Sequence, residues 1–142
     1  FEEGRMIREL PYWVFCSVFC VFAASCATIK TPTRANCSGL VAEAAAAIDA
    51  GKKTYVEVGK QTVGETGFFY VIGPKGVIVY HPNTPLTGRD VSDVPQVRAI
   101  LALDSGVNTD SQGGLVRTVF FRRLASGNML CFTISDDELD GR

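Results

Sequence analysis

The sequence predicts an α+β fold: an antiparallel sheet of about five strands with helices on one side, preceded by an N-terminal hydrophobic segment. Three observations predict it. Residues 67–82 place two apolar, aromatic and β-branched runs around Gly73-Pro74-Lys75-Gly76, the composition of two antiparallel strands joined by a tight turn. Residues 115–124 and 128–135 repeat that pattern around Ala125-Ser126-Gly127-Asn128, which is hairpin chemistry. Two stretches, near 39–50 and 94–104, carry apolar residues at helical spacing.

A chain of 142 residues is one domain's worth and leaves about a hundred residues for a core once an N-terminal segment is set aside. With 14 basic and 15 acidic side chains and a net charge of -1, it lacks the polybasic footprint of a nucleic-acid binder. One His and no C-x-x-C or H-E-x-x-H spacing argue against a metal site or another cofactor. Ser92 and Ser105 have no G-x-S-x-G context, so the chain does not read as an enzyme and no catalytic residue is assigned.

Residues 11–29 (PYWVFCSVFCVFAASCATI) hold no charge and follow Arg5 and Arg8, which is a targeting or anchoring signature. Residues 1–29 read as a signal peptide or membrane anchor. Ala23-Ala24-Ser25-Cys26 resembles a bacterial lipobox, with Cys26 as the lipidation site, although Ala23 stands where Leu is commonest. The length is near the ~20 apolar residues of a membrane span, so an uncleaved anchor and an ordinary secretory signal stay open. Each option places the rest outside the cytoplasm, in the periplasm for a lipoprotein. An oxidising compartment would permit Cys37 and Cys131 to pair, but Cys131, inside Met129-Leu130-Cys131-Phe132, reads better as a small buried hydrophobe.

Residues 30–37, with Pro32 between Thr31 and Thr33, read as a linker. Asn36 or Ser38 can cap a helix over 39–50, ended by Gly51. The alternation of Tyr55, Val56, Glu57 and Val58 suggests a half-buried strand over 53–59, with a continuation of the helix into Lys60 as the second reading. The central hairpin follows. Pro74 pre-sets a turn angle, Gly76 supplies a positive φ, and Pro82 closes the second strand because it has no N–H. Residues 83–93 form a long polar connection, then a helix over 94–104 with Ser92 or Asp93 as cap and Pro95 in its first turn. Residues 108–114 read as a flexible turn before the last two strands, and the acidic stretch 136–142 reads as solvated.

The run GFFYVIGPKGVIVYHPNTPLTGRDVSDVPQVRAILALDSG resembles the single Cache domain, an extracytoplasmic PAS-like sensor module. The matching positions are Gly67 to Ile72, Gly76, His81-Pro82, Gly88 and Asp90 or Asp93. The closing hairpin VRTVFFRRLASGNMLCFTISDDEL is similar too, including an acid just before Leu139. The resemblance covers about residues 39–140 and implies one sensor domain over 38–140. It departs from the family in its short first helix and in lacking a second membrane helix and cytoplasmic output domain, so signalling in chemotaxis-like transduction would need a partner protein.

The resemblance also implies a small organic ligand, a short carboxylate or an amino acid, bound between the sheet and the connecting loop and helix. Arg is the side chain whose planar fork matches a carboxylate, which makes Arg89, Arg117 and Arg123 ligand-binding candidates. Alternation puts Arg117 and Arg123 on one face of their strand and Arg122 on the other. Tyr70 and Tyr80 combine a ring with a hydroxyl, and His81 adds a group that titrates near neutrality. The function expected is therefore small-molecule sensing through a partner. The alternative is a scaffold lipoprotein that uses the same fold for protein contact, and a concave cavity lined by Tyr, His or Arg discriminates the two.

Overall fold

A computed structural model describes residues 32–141. The segment 1–29, its lipobox-like tetrad and Cys26 lie outside the described residues. Among the described residues no helix is long and apolar enough to cross a membrane.

Helix α1, Arg34–Asp49, starts earlier than the sequence suggests and takes in part of the expected linker. Its cap is Thr33, whose hydroxyl accepts the Asn36 amide at 3.1 Å. Asn36 is thus the third helical residue, a donor to the cap and not the cap. Cys37, Val41, Ala44 and Ala45 are its buried stripe, and Gly51 turns the chain out at φ 72°, as expected of a glycine past a helix end. Residues Tyr55–Gly59 form a short helix, α2, and not a strand. Thr54 and Glu57 cap each other's backbone at 3.2 Å, a capping box that overrides the apparent alternation.

Strands β1 (Phe68–Ile72) and β2 (Ile78–Tyr80) form the central hairpin, with Gly76 at φ 86° in the turn. The polar connection carries a 3-10 turn at Thr84–Leu86 and bonds back onto β2 through Ile78, Gly88 and Arg89. Helix α3 is Pro95–Leu101. Its cap position is Val94, without a side-chain bond. Of the two expected caps, Ser92 instead donates its amide to the Asp90 carboxylate at 2.9 Å. Of the stretch expected as a flexible turn, residues 108–112 belong to strand β3, Ser105–Gln112, and residues 113–114 are the turn. The strand joins β4 (Leu115–Arg123) through Gly113 and Gly114, both at positive φ, the requirement of a tight two-residue hairpin. Strand β5, Met129–Ser135, is buried throughout.

The five strands are antiparallel in the order β2-β1-β5-β4-β3, so the expected sheet is present, with β3 in place of residues 53–59. The helices divide between its faces instead of sharing one. Phe69, Val71, Phe120, Leu130, Phe132 and Ile134 meet α1 and α2. The alternate residues Ile72, Val119, Phe121, Met129 and Cys131 meet Val97 and Ile100 of α3. Fully burying each Phe contributes roughly 1.5–3 kcal/mol, and Phe132 stands at the centre with ring centroids 4.9 Å from Phe69 and 6.4 Å from Phe120.

The acidic stretch is not simply solvated. Asp136–Gly141 forms 3-10 turns that bury Leu139 in the α1-side core, and Arg34 pairs with Asp136 at 2.8 Å and Asp140 at 3.5 Å. Cys37 and Cys131 are free and buried. They sit in clusters on opposite faces of the sheet, which keeps them apart and agrees with Cys131 as a buried hydrophobe.

Candidate functional site

The α3 face of the sheet does not close completely. A cavity of about 210 Å³ remains between the strands and α3, lined by Tyr70, Gln96, Asp110, Leu115, Arg117, Val119 and Thr133. Period-two alternation brings these residues together: Tyr70 on β1, Asp110 on β3, Arg117 and Val119 on β4, and Thr133 on β5 all point to one side.

Arg117 is the organising cation. Its guanidinium carbon lies 5.4 Å from the Phe68 ring centroid, a cation–π placement. Nε donates to the Thr133 hydroxyl at 3.1 Å and Nη2 to the Thr66 carbonyl at 3.0 Å. Those bonds fix the fork's orientation at the cavity wall. Tyr70 lies directly opposite Cys131; burial, with contact from that thiol, pushes the Tyr70 hydroxyl well above its ordinary pKa despite the opposing Arg117 charge. It is a neutral donor at any physiological pH. Burial also raises Cys131 to about 12. Gln96 donates from Nε2 to Asn108 at 3.3 Å, tying α3 to β3 beside the cavity.

His81 stands next to this group without lining it. Its ring centroid is 5.3 Å from Phe68 and 5.8 Å from Tyr70. Nδ1 accepts the Asn83 amide at 2.9 Å, so the neutral ring carries its proton on Nε2. Burial lowers its pKa.

The other expected site residues lie elsewhere. Tyr80 pairs with Val71 and packs into the α1-side core. Arg89 is exposed in the connection, where its carbonyl accepts the Ile78 amide at 2.9 Å. Arg123 shares the Arg117 face but acts as a staple: it holds Asp104 at 3.1 Å and the carbonyls of Leu101, Leu103 and Gly127 at 2.8, 2.9 and 3.2 Å. The sequence does not single out Asp110, Gln96 or Thr133. Thr133 carries a usable signal, a hydroxyl inside the apolar run 129–134; Asp110 carries none, because it lies in a polar stretch with turn composition.

A larger depression of about 450 Å³, lined in part by Ile48, Asp49, Tyr55 and Ser126, opens broadly to solvent and gathers no comparable set of groups. The smaller cavity therefore has the better chemistry. Among the described residues no group of three or more His, Cys, Asp or Glu could hold a metal ion.

No family model matches the sequence, and no curated protein does. Solved structures do match in fold. The extracellular domain of mmHK1S-Z2, described as a histidine kinase, is 14% identical with a TM-score of 0.51, over 57% of this chain and 35% of that one. A methyl-accepting chemotaxis protein from Vibrio parahaemolyticus is 13% identical with a TM-score of 0.47, over 92% and 88%. The ligand-binding domain of Mlp24, solved with asparagine, is 18% identical with a TM-score of 0.46, over 57% and 33%. The chain thus spans about a third of the length of mmHK1S-Z2 and Mlp24 as solved. On the first of these likenesses, this chain carries the fold of an extracellular sensor domain, the Cache-like α+β fold.

Proposed function

We propose that the chain is an extracytoplasmic small-molecule-sensing domain, spanning about residues 38–140 together with the start of α1, that acts through a partner protein. The observation that carries this reading is the cavity in which Arg117, Tyr70, Gln96, Asp110 and Thr133 converge. At about 210 Å³ it is smaller than the 300–1,000 Å³ of drug-sized sites, which suits a molecule of a few heavy atoms. Arg117 matches a carboxylate. Asp110 on the same wall matches an ammonium, so an amino acid answers both charges and a plain short acid answers one. In this reading residues 1–29 supply the membrane tether.

One observation favours the scaffold alternative: Arg117 already has protein partners in Thr133 and Thr66 and could serve packing alone. Thermal unfolding of the full chain with acetate, propionate, glycine and L-alanine separates the two readings. A ligand that binds the native state raises the midpoint by mass action. No rise with any of the four favours the scaffold.

A further inference from the structure

The hydrogen bonds that hold Arg117 continue out of the cavity. Thr66 is the joint. Its carbonyl accepts from Arg117 at 3.0 Å, its amide donates to Glu138 at 2.8 Å, its hydroxyl also donates to Glu138, and its hydroxyl oxygen accepts the Ser135 amide at 3.0 Å. The Glu65 amide adds a bond to Glu138 at 2.8 Å. Gly64, at φ 61°, lies so close that a Cβ there would strike the Glu138 carboxylate. Residues 64–66 are therefore a fitted cradle for one side chain.

Glu138 belongs to the Asp136–Gly141 segment, and that segment grips the start of α1. Leu139 is 1% exposed, the Asp140 amide donates to the Pro32 carbonyl at 2.9 Å, and the Asp140 carboxylate accepts the Arg34 amide at 3.2 Å. An unbroken set of contacts runs from a guanidinium in the cavity, through one residue, to the place where both ends of the described fold meet.

We propose that Thr66 couples the cavity to the seating of Asp136–Gly141 on the start of α1. The proposal rests on the reading of the cavity as a ligand site. A bound carboxylate competes for the Arg117 guanidinium. Drawing that group off the Thr66 carbonyl frees the cradle, loosens Glu138 and unseats the segment. Seated and unseated forms are the two states that ligand binding biases, which is what coupling between sites requires.

Amide hydrogen exchange on the full chain tests this without a ligand. Arg117→Gln is expected to speed exchange at Glu65, Thr66 and Asp140 about tenfold, the scale of losing a hydrogen bond to a charged group, while Leu130 and Phe132 in β5 stay protected. Glu138→Gln should speed the same three amides, and Arg122→Gln, on the opposite face, should change none. If β5 also loses protection in Arg117→Gln, Arg117→Lys, which keeps the charge, is judged by the same criteria. Wild-type rates at Asp140 in the Arg117 variant, with Asp140 fast in Glu138→Gln, would overturn the coupling. A failed ligand panel with intact coupling removes the ligand reading, and the converse result removes only the coupling.

Discussion

Asp110 stands directly across from Arg117 on neighbouring strands, yet the two form no salt bridge, and the guanidinium turns instead to Thr133 and the Thr66 carbonyl. Opposite charges left apart beside one cavity can be bridged by a ligand that carries both. Arg117→Gln should weaken every carboxylate that binds by roughly 1.5–3 kcal/mol, the range for hydrogen bonds to charged groups. Asp110→Asn should weaken glycine and L-alanine while leaving acetate and propionate unchanged. Calorimetry on the four compounds gives the comparison, and equal losses for acids and amino acids in Asp110→Asn would refute a zwitterion site.

His81 supplies a pH prediction with a defined sign. Its folded pKa lies below 6.5 because burial disfavours the charged ring. The unfolded chain therefore takes up the proton first as pH falls. The stability contributed by neutral His81 is fully present above about 6.5 and is lost as pH drops through the folded value. Protonation also removes the Nδ1 lone pair that accepts Asn83. As this is the chain's single histidine, its NMR signal is unambiguous and should titrate below 6.5. Chemical denaturation should show that His81→Gln removes this part of the acid sensitivity.

Tyr80 lies in the α1-side core and not in the cavity lining. The register between β1 and β2 shifts between Val71 and Ile72, so parity alone does not predict its face; pairing with Val71 sends it to the α1 side. There its ring occupies the space beside Gly59 that a Cβ would enter. Tyr80→Phe should leave ligand affinity unchanged, whereas Gly59→Ala should cost about 1–3 kcal/mol through overpacking. Denaturant unfolding and the thermal panel read the two effects separately.

Local chemistry made the two expected hairpins legible. Gly76 and Gly127 adopt the positive φ that their turns need, and the flanking runs are β-branched and aromatic. Strand β3 was hidden because Ser105–Gln112 is polar: Asn108 and Asp110 share the cavity face, while Val107 is 49% exposed. Pairing with β4 makes it a strand, and a sequence does not display pairing between elements. Its Gly113-Gly114 turn was the available signal. The Thr54 and Glu57 capping box was likewise present for α2. Arg117 and Tyr70 are candidates by side-chain chemistry and alternation gives their face, but the bond between Thr66 and Glu138 joins residues 72 apart and cannot be read locally.

Glu138 should make the C-terminal segment acid-sensitive. Burial works to raise its pKa, but the Thr66 hydroxyl, the Glu65 and Thr66 amides and the Arg117 charge outweigh it and hold the carboxyl below its ordinary 4.5. The stability it contributes is present above the unfolded value and is lost as pH falls through the folded one. Urea unfolding of wild type against Glu138→Gln should show a gap that narrows below about 4.5. A gap independent of pH would mean that shape, not charge, seats the side chain.

Cys37 and Cys131 lie too far apart in the fold to pair. Cys37 faces α1's side of the sheet and Cys131 faces α3's, so a disulfide, whose Cβ atoms must approach within about 4.5 Å, would need the sheet between them removed. Burial raises Cys37 to about 11, with help from the Asp140 charge, and Cys131 to about 12. The reactive thiolate is thus scarce at neutral pH. Incubating the full chain with a glutathione redox couple and mapping peptides by mass spectrometry should find Cys37 and Cys131 unpaired and unmodified while folded. Both should become reactive in denaturant. A native Cys37–Cys131 bridge would contradict the sheet's two-faced core itself, because no side-chain adjustment can carry either sulfur through β4 and β5.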